Sequence, residues 1–185
     1  MHDAALSLNI KRCSEQSGHF FCTIIDMEQE QHEKYMRMAI SLSEQNVQKN
    51  LGGPFGAVVV KDGKVIAKSG NKVTTNNDPT AHAEVSAIRL ACKKLKTFDL
   101  SGAVIYTSCE PCPMCLGAIY WSRIETIYYG NTKADAAAIK FDDKFIYDEL
   151  EKPMHKRQLP IKQMLRDEAQ QAFKLWEKSP MKTEY

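Results

Sequence analysis

Hydrophobic residues recur along this chain with two different spacings, which separate predicted helices from predicted strands. Between residues 28 and 49 the apolar side chains follow a helical period, with Glu, Gln and Lys elsewhere. Residues 52–54, Gly-Gly-Pro, end this helix. Residues 55–61 are rich in valine and predict a strand, Asp62-Gly63 is typical of a two-residue hairpin turn, and residues 64–69 return antiparallel.

The rest of the chain alternates between the two patterns after a polar loop at residues 74–78. Pro79 suits a first helical position with Asp78 as its cap, and Pro111 opens another helix. The further elements predicted are strands at 103–107 and 126–129 and helices at 79–95, 111–121 and 162–177. This order predicts an α/β protein, a three-layer α/β/α sandwich with a mixed, mostly parallel sheet and helices on both faces.

The first 26 residues lack a clear period. We predict that residues 1–26 are a poorly ordered, dispensable extension and that residues 27–185 form the domain. Two alternatives stay open for this segment: its apolar pairs Phe20-Phe21 and Ile24-Ile25 dock on the domain, or Met27 is the natural start.

Composition limits the classes of function. A chain of 185 residues allows one domain with a substantial core, and 43% apolar with 26% charged residues is typical of a soluble globular protein. The net charge of +2 provides no global basic field for nucleic acid. No apolar run approaches the ~18 residues that span a membrane, and no secretory signal is evident. Three of the six cysteines crowd into residues 109–115, which favours a metal site in a reducing, cytoplasmic setting.

Two short segments carry residues suited to metal chemistry. In the first, Glu84 follows His82 with one residue between them, and in the second Cys112 and Cys115 form a Cys-x-x-Cys behind Pro111. His-x-Glu followed by Pro-Cys-x-x-Cys is the zinc-deaminase signature, in which His and two Cys hold Zn²⁺ and Glu moves protons without touching the metal.

The spacing of these residues suits hydrolysis. Cys112 and Cys115 share a face in the first turn of a helix, where the helix dipole favours the thiolate form. His82 and Glu84 would diverge by ~200° on a regular helix, so the ion must sit off the helix end. Three protein ligands leave the fourth tetrahedral position for water. Glu84 can then act as the base and return the proton to a ring nitrogen and to departing ammonia.

The cysteine run taken alone admits other sites. Cys112-Pro113-Met114-Cys115 is also typical of a redox dithiol at a helix start. With Cys109 it is similar to part of an iron–sulfur motif that lacks its fourth cysteine, and a structural zinc site would need a fourth ligand. The upstream His82 and Glu84 favour catalytic zinc, so that Cys109 is predicted to be a core residue or to support the ligands.

From about Glu33 to Tyr185 the chain resembles the cytidine-deaminase superfamily and, within it, the bacterial guanine deaminases. The resemblance is carried by the residues around both motifs and by three further runs, namely residues 52–58, 76–84, 107–121, Phe141-Asp142-Asp143 and Glu184-Tyr185. It implies an α/β/α sandwich with one Zn²⁺ per subunit. It also implies a homodimer whose C-terminal segments, about residues 160–185, cover the partner's site, and conversion of the purine guanine to xanthine and ammonia.

The same resemblance implies a role for individual residues. His82, Cys112 and Cys115 would bind zinc, and Glu84 would be the proton shuttle. The implied substrate contacts are the backbone of Ala83 on the oxyanion side, Asn71 on the purine edge, Phe55 and Trp121 as walls for the ring, Asp143 as an acidic residue that contacts guanine and helps to move protons, and Tyr185 as the closure of the pocket.

Each substrate contact also has a purely structural alternative. A planar base requires an aromatic face and hydrogen bonds at its edge, which suits Phe55, Asn71 and Trp121. These three could equally be a strand core residue, a turn residue and a helix end packed on the sheet. Asp143 could be a helix cap with Asp142 as its competitor, and Tyr185 could be the frayed end of the chain.

Proteins with other functions contain part of this sequence pattern. A tRNA adenosine deaminase shares the zinc motif, but it would need a basic surface, whereas the C-terminal segment here mixes both charges and ends in Glu-Tyr. Guanosine deaminase would need room for a ribose, and cytosine deaminase is a further alternative. A metal-binding or redox module that uses only Cys-x-x-Cys is the non-enzymatic alternative.

Overall fold

A computed structural model describes the backbone from Glu15 to Tyr185 and the side chains from Glu28 onward. The chain divides into two compact units, one up to Tyr35 and one from Met36. The helix α1 (Glu15–Gln48) contributes to both units, and it begins earlier than the predicted residue 28 and ends close to the predicted residue 49. Of the predicted poorly ordered extension, residues 1–26, residues 1–14 lie outside the described residues and residues 15–26 belong to α1, so the prediction of a dispensable extension stays a prediction.

The second unit combines a four-stranded sheet with six further helices. In chain order the elements after α1 are β1 (Gly56–Lys61), β2 (Lys64–Gly70), α2 (Val73–Asn76), α3 (Ala83–Leu95), β3 (Ala103–Cys109), α4 (Pro113–Trp121), β4 (Thr126–Asn131), α5 (Lys133–Ala138), α6 (Lys144–Glu151), a 3-10 turn (Met154–Lys156) and α7 (Arg166–Lys178).

The strand order is β2-β1-β3-β4. β1 pairs antiparallel with both β2 and β3, and β3 pairs parallel with β4. The predicted mixed sheet is therefore confirmed, but among the described strands it is not mostly parallel, because β1 lies between two strands of opposite direction. β2, β3 and β4 all run the same way, so their carboxyl ends share one edge of the sheet, where open α/β sheets place ligand sites.

The predicted hairpin between β1 and β2 is confirmed. Asp62 and Gly63 both have positive φ, at 51° and 67°. That backbone is the two-residue turn whose twist matches the twist of the flanking strands, and a glycine adopts it at no steric cost.

Both faces of the sheet are covered by helices, as predicted. One face of β1 and β3 packs on α3 and α4 through a core that includes Val59, Ile88, Ile105 and Ile119. The other face meets α1 at Gly56, where an added Cβ would lie 2.3 Å from the carbonyl oxygen of Ala39. Only glycine allows this close approach of helix to strand.

Several helix boundaries differ from the predictions. The carboxylate of Asp78 accepts hydrogen bonds from the backbone and hydroxyl of Thr80 at 2.8 and 2.7 Å, so it stabilises a turn and α3 starts only at Ala83. The predicted loop after β2 contains α2, a helix of one turn. α7 starts at Arg166, after Leu165 in a left-handed conformation with φ of 49°, and not at residue 162.

Candidate metal and catalytic site

The three predicted metal ligands lie at the starts of two helices. His82 is the N-cap of α3 and Cys112 is the N-cap of α4, with φ near −65° and extended ψ in both cases (−62°, 160° and −66°, 167°). Neither side chain forms a capping hydrogen bond with its own helix. Cys115 lies one turn further along α4 and is buried. Both helices therefore direct a ligand off their N-terminal ends, as the sequence predicts.

The donor atoms of His82, Cys112 and Cys115 all lie within 4.8 Å of one another. The Nδ1 atom of His82 is 3.6 Å from Sγ of Cys112 and 3.5 Å from Sγ of Cys115. A tetrahedral zinc ion with bonds of ~2.0–2.1 Å to nitrogen and ~2.3 Å to sulfur separates such atoms by ~3.6 Å. The triangle therefore fits zinc in both donor type and size.

The thiols of Cys112 and Cys115 shift each other's pKa in opposite directions. The hydrogen bond from Cys115 holds the pKa of Cys112 at about 4, with the contact to His82 acting the same way. That same bond, with burial, raises the pKa of Cys115. The hydrogen bond to Cys112 raises the pKa of His82. Metal binding requires both cysteines as thiolates, so it would release their remaining protons.

Glu84 is the buried acidic group beside the triangle, with 6% of its surface exposed. Burial is the main cause that raises the pKa of its carboxyl, and the nearby Cys112 adds to the effect. The Thr107 hydroxyl lies 3.3 Å from Oε1 of Glu84 and 3.0 Å from the carbonyl oxygen of Cys109. A carboxyl whose pKa is raised by desolvation can hold a proton and release it, which is what a proton shuttle requires.

A cavity of about 410 Å³ opens over these groups. Six of the predicted site residues line it: Phe55, Asn71, His82, Glu84, Cys112 and Asp143. They come from the start of β1, the end of β2 and the starts of α3, α4 and α6, which all lie at or near one edge of the sheet. The structure thus brings together residues that are far apart in sequence.

Asp143 and Asp142 have different environments although they are adjacent. Asp143 lines the cavity, where burial, followed by the charge of Cys112, raises the pKa of its carboxyl. Asp142 is exposed, and its carboxylate accepts a hydrogen bond from the backbone N–H of Lys144 at 2.9 Å. Asp142 therefore supports the first turn of α6, and Asp143 is the one that faces the cavity.

Comparison with known proteins agrees with this geometry. Residues 29–131, more than half of the chain, match the cytidine and deoxycytidylate deaminase zinc-binding region. The chain belongs to this deaminase family. The predicted superfamily and the predicted zinc cofactor are thereby confirmed. This deaminase has no helix among its described residues that is long and apolar enough to cross a membrane.

Its relatives include enzymes that act on free bases and on tRNA. Guanine deaminase from Bacillus subtilis is 51% identical over 83% of this chain and 99% of the relative. A crystal structure of guanine deaminase from that organism superposes with a TM-score of 0.81 over 83% of this chain and 98% of that one. A tRNA-specific adenosine deaminase from Agrobacterium fabrum is 47% identical, but over only 50% of this chain and 60% of the relative.

Two predicted substrate contacts, Trp121 and Tyr185, do not line the cavity of their own chain. Trp121 and Tyr185 are 70% and 72% exposed, and their rings pack against each other with centroids 6.1 Å apart. Tyr185 also contacts Phe98, at 6.2 Å. Ala83 is fully buried at the first position of α3. The substrate roles of Ala83, Trp121 and Tyr185 stay predictions, since none of the three lines the cavity.

Sequence reasoning missed several residues that line the cavity of the deaminase. Phe141 packs edge-to-face on Phe55, with ring centroids 5.0 Å apart. Lys133 and Glu110 lie at the same cavity, where the carboxylate of Glu110 accepts a hydrogen bond from the backbone N–H of Lys133 at 3.1 Å. Phe141 directly precedes the Asp142-Asp143 pair, so this run could have pointed to Phe141 as a further site residue. Lys133 stands in no recognisable motif.

Proposed function

We propose that this deaminase hydrolyses guanine to xanthine and ammonia at the His82, Cys112 and Cys115 site. The observation that carries the proposal is the buried Glu84 beside a triangle of zinc ligands, at the floor of a cavity with aromatic and amide walls. The full-length similarity to the guanine deaminase of Bacillus subtilis directs the choice of base.

The proposed reaction uses the residues of the site in sequence. Zinc, when bound, would lower the pKa of a water molecule, so that the water can lose a proton and attack the ring carbon that bears the amino group. Glu84 accepts a proton from the attacking water and delivers it to the adjacent ring nitrogen. As the carbon–nitrogen bond breaks, the same carboxyl passes the second water proton to the leaving amino group. The water oxygen stays on the ring as the new carbonyl of xanthine, and ammonia departs.

The walls of the cavity supply the proposed recognition of the purine. Phe55 offers a ring face, and Phe141 holds that face in place by their edge-to-face contact. The side-chain oxygen of Asn71 accepts a hydrogen bond from the N–H of Val73 at 3.1 Å. That bond fixes the carboxamide, so its NH₂ group is the donor for the purine edge. Ala83 contributes through its backbone at the start of α3, where helix N–H groups are free of helical partners.

Asp143 is proposed to contact guanine and to assist proton transfer. Replacing Asp143 with Asn should lower kcat/KM for guanine about 10²-fold, because an amide cannot exchange a proton with the substrate. The matched control is Asp142→Asn, which changes the adjacent exposed carboxylate and should stay near the wild-type rate. Steady-state kinetics on both variants checks the assignment. Equal losses in the two variants, or a loss in Asp142→Asn alone, would remove Asp143 from the reaction.

The C-terminal segment is proposed to complete the active site of a second subunit in a homodimer. α7 (Arg166–Lys178) exposes the large apolar side chains of Phe173, Leu175 and Trp176, which an isolated chain would leave in water. The swapped segment is proposed to begin near residue 160. Such a dimer would let Tyr185 and Trp121 reach a purine. Because free thiols at Cys92, Cys109, Cys112 and Cys115 suit reducing conditions, we propose a cytoplasmic protein.

Deleting residues 180–185 should therefore damage catalysis more than folding. We expect kcat/KM for guanine to fall more than about tenfold, because water would enter an unclosed site. The melting temperature should change by less than about 2 °C, since the removed residues are exposed and outside helices. Kinetics and thermal melting on the same preparation separate the two effects. Wild-type kinetics in the shortened chain would end the proposed closing role of the tail.

Ammonia release from several bases in parallel tests the choice of substrate. Guanine, guanosine, adenine, cytosine and tRNA should be compared at equal concentrations of zinc-quantified protein. We expect guanine to give the highest rate. Faster release from guanosine or tRNA would replace guanine with that rival substrate. A protein that holds no zinc and shows only dithiol activity would support the redox-module alternative.

A further inference from the structure

Asn46 is a buried polar residue of α1 (Glu15–Gln48) that does not line the cavity but holds two of its walls. Only 5% of its surface is exposed. Its Nδ2 atom donates hydrogen bonds to the carbonyl oxygens of Gly53 and Asn71, each at 2.8 Å. Because both partners are acceptors, the NH₂ end of the side chain must face them. Both hydrogens of one amide group are thereby used.

The two carbonyls belong to separate segments at the cavity. Gly53 precedes β1 (Gly56–Lys61), and Asn71 follows the last residue of β2 (Lys64–Gly70). The N–H of Asn71 in turn donates to the carbonyl oxygen of Phe55 at 2.9 Å, and the N–H of Phe55 donates to Gly53 at 2.8 Å. The aromatic wall and the amide that faces the purine edge therefore belong to one hydrogen-bonded frame, with Asn46 at its centre.

Two glycines make room for this arrangement. A Cβ added to Gly70 would lie 2.6 Å from Oδ1 of Asn46. A Cβ added to Gly52, whose φ is 155°, would lie 2.6 Å from the carbonyl oxygen of Asn71 and 3.1 Å from Nδ2 of Asn46. Real Cβ atoms do not approach so closely, so the backbone of both segments packs directly around the asparagine.

We propose that Asn46 is a positioning residue for substrate binding, which sets the placement of Asn71 and Phe55 through the carbonyls that it holds. The inference rests on the proposed function of the cavity. Without the Asn46 donors, the buried Asn71 carbonyl loses its hydrogen bond, and its peptide plane is held only at the Lys72 N–H, which donates to the carbonyl oxygen of Ala81 at 2.8 Å. We expect this plane and the Asn71 side chain to shift together. A small misplacement of a binding group has a large effect on a rigid planar substrate.

The test uses two variants of Asn46, one with the same volume and one with a smaller side chain. Asn46→Asp places a carboxylate oxygen against two carbonyl oxygens, and Asn46→Ser keeps a single donor. The control is Ser122→Ala, which removes another buried hydrogen bond, from the Ser122 hydroxyl to the carbonyl of Ile119 at 2.9 Å, at a residue that does not line the cavity. All proteins are compared as zinc-loaded full chains.

We expect Asn46→Asp to raise KM for guanine and the dissociation constant for xanthine about tenfold. We expect kcat to change less than about threefold, because the proton shuttle is untouched. Asn46→Ser should also raise KM more than it changes kcat, but by a smaller factor. Ser122→Ala should lower the melting temperature and leave both constants unchanged. In the double variant with Asn71→Ala, the rise in KM should be smaller than the two single effects combined, because Asn46 acts in part through Asn71.

Two results would contradict a positioning role for Asn46. Variants of Asn46 that melt earlier but keep the wild-type KM and xanthine affinity would give it a purely structural role, as would additive effects of Asn46→Asp and Asn71→Ala. If Asn46→Asp does not yield folded protein, Asn46→Ser carries the same comparison. Failure of the proposed function is a separate result, because it would appear as a wild-type protein that releases no ammonia from guanine. The KM comparison would then be made with the base that is deaminated.

Discussion

Replacing Glu84 with Gln is expected to abolish turnover while zinc stays bound. kcat for guanine should fall at least ~10³-fold, the upper part of the range for a positioned acid–base group, because Glu84 is proposed to move protons in both halves of the reaction. Glutamine preserves the size of this buried side chain but cannot exchange a proton. Zinc content should be unchanged, since the three residues that could hold the metal are His82, Cys112 and Cys115.

The matched control for this variant is Glu110→Gln. Glu110 also lines the cavity, but its carboxylate accepts a hydrogen bond from the backbone N–H of Lys133, and it does not belong to the group of three residues that could hold the metal. We expect it to change kcat less than about fivefold. Zinc analysis by atomic absorption and single-turnover kinetics check both variants. A near-normal rate in Glu84→Gln would remove Glu84 from the mechanism, whereas loss of zinc from it would mean that this carboxylate supports the metal.

Replacing Cys115 with Ser should remove the metal and lower the stability of the fold together. Cys115 is buried, so a weak hydroxyl ligand leaves an incomplete site within the core. Zinc should fall from about one ion per chain to near zero, with activity falling in parallel. The melting temperature should drop as well, because binding to the folded state alone stabilises that state.

Cys92→Ser is the control for this change. Cys92 is a free, half-buried thiol on α3 (Ala83–Leu95) that does not lie in the metal triangle. It should keep full zinc and activity. Treating the wild type with a chelator should lower its melting temperature to that of Cys115→Ser. Full zinc occupancy and a wild-type melting temperature in Cys115→Ser would exclude Cys115 as a ligand.

The metal site could be predicted from the sequence because its chemistry depends on residue type and local spacing. Cys112 and Cys115 are close in the chain and meet through the geometry of one helix start. The relation of His82 to them was inferred from the order of strands and helices, and it survives although β1 runs against its neighbours, because β2 and β3 still end at the same edge. The helices on both faces of the sheet followed from the order of the elements, whereas the family was inferred from the resemblance of the runs around the two motifs.

Other features depend on contacts that no local pattern contains. Pro79 and Asp78 suggested a helix start, but Asp78 accepts hydrogen bonds from Thr80 and forms a turn, so the helix begins only at Ala83. Turn and cap use the same polar side chain, and only the surrounding fold selects between them. Asn46 meets the carbonyls of Gly53 and Asn71 through tertiary packing, so its position in the helical pattern predicted nothing about the cavity.

The most direct test of the central claim is the stoichiometry of guanine hydrolysis on zinc-quantified wild-type protein. Xanthine formation is followed by its absorbance after chromatographic separation, and ammonia is measured in the same samples. We expect one xanthine and one ammonia for each guanine consumed, at a rate that is proportional to the zinc content. Zinc-loaded protein that consumes no guanine, or ammonia release that does not depend on zinc, would contradict the account.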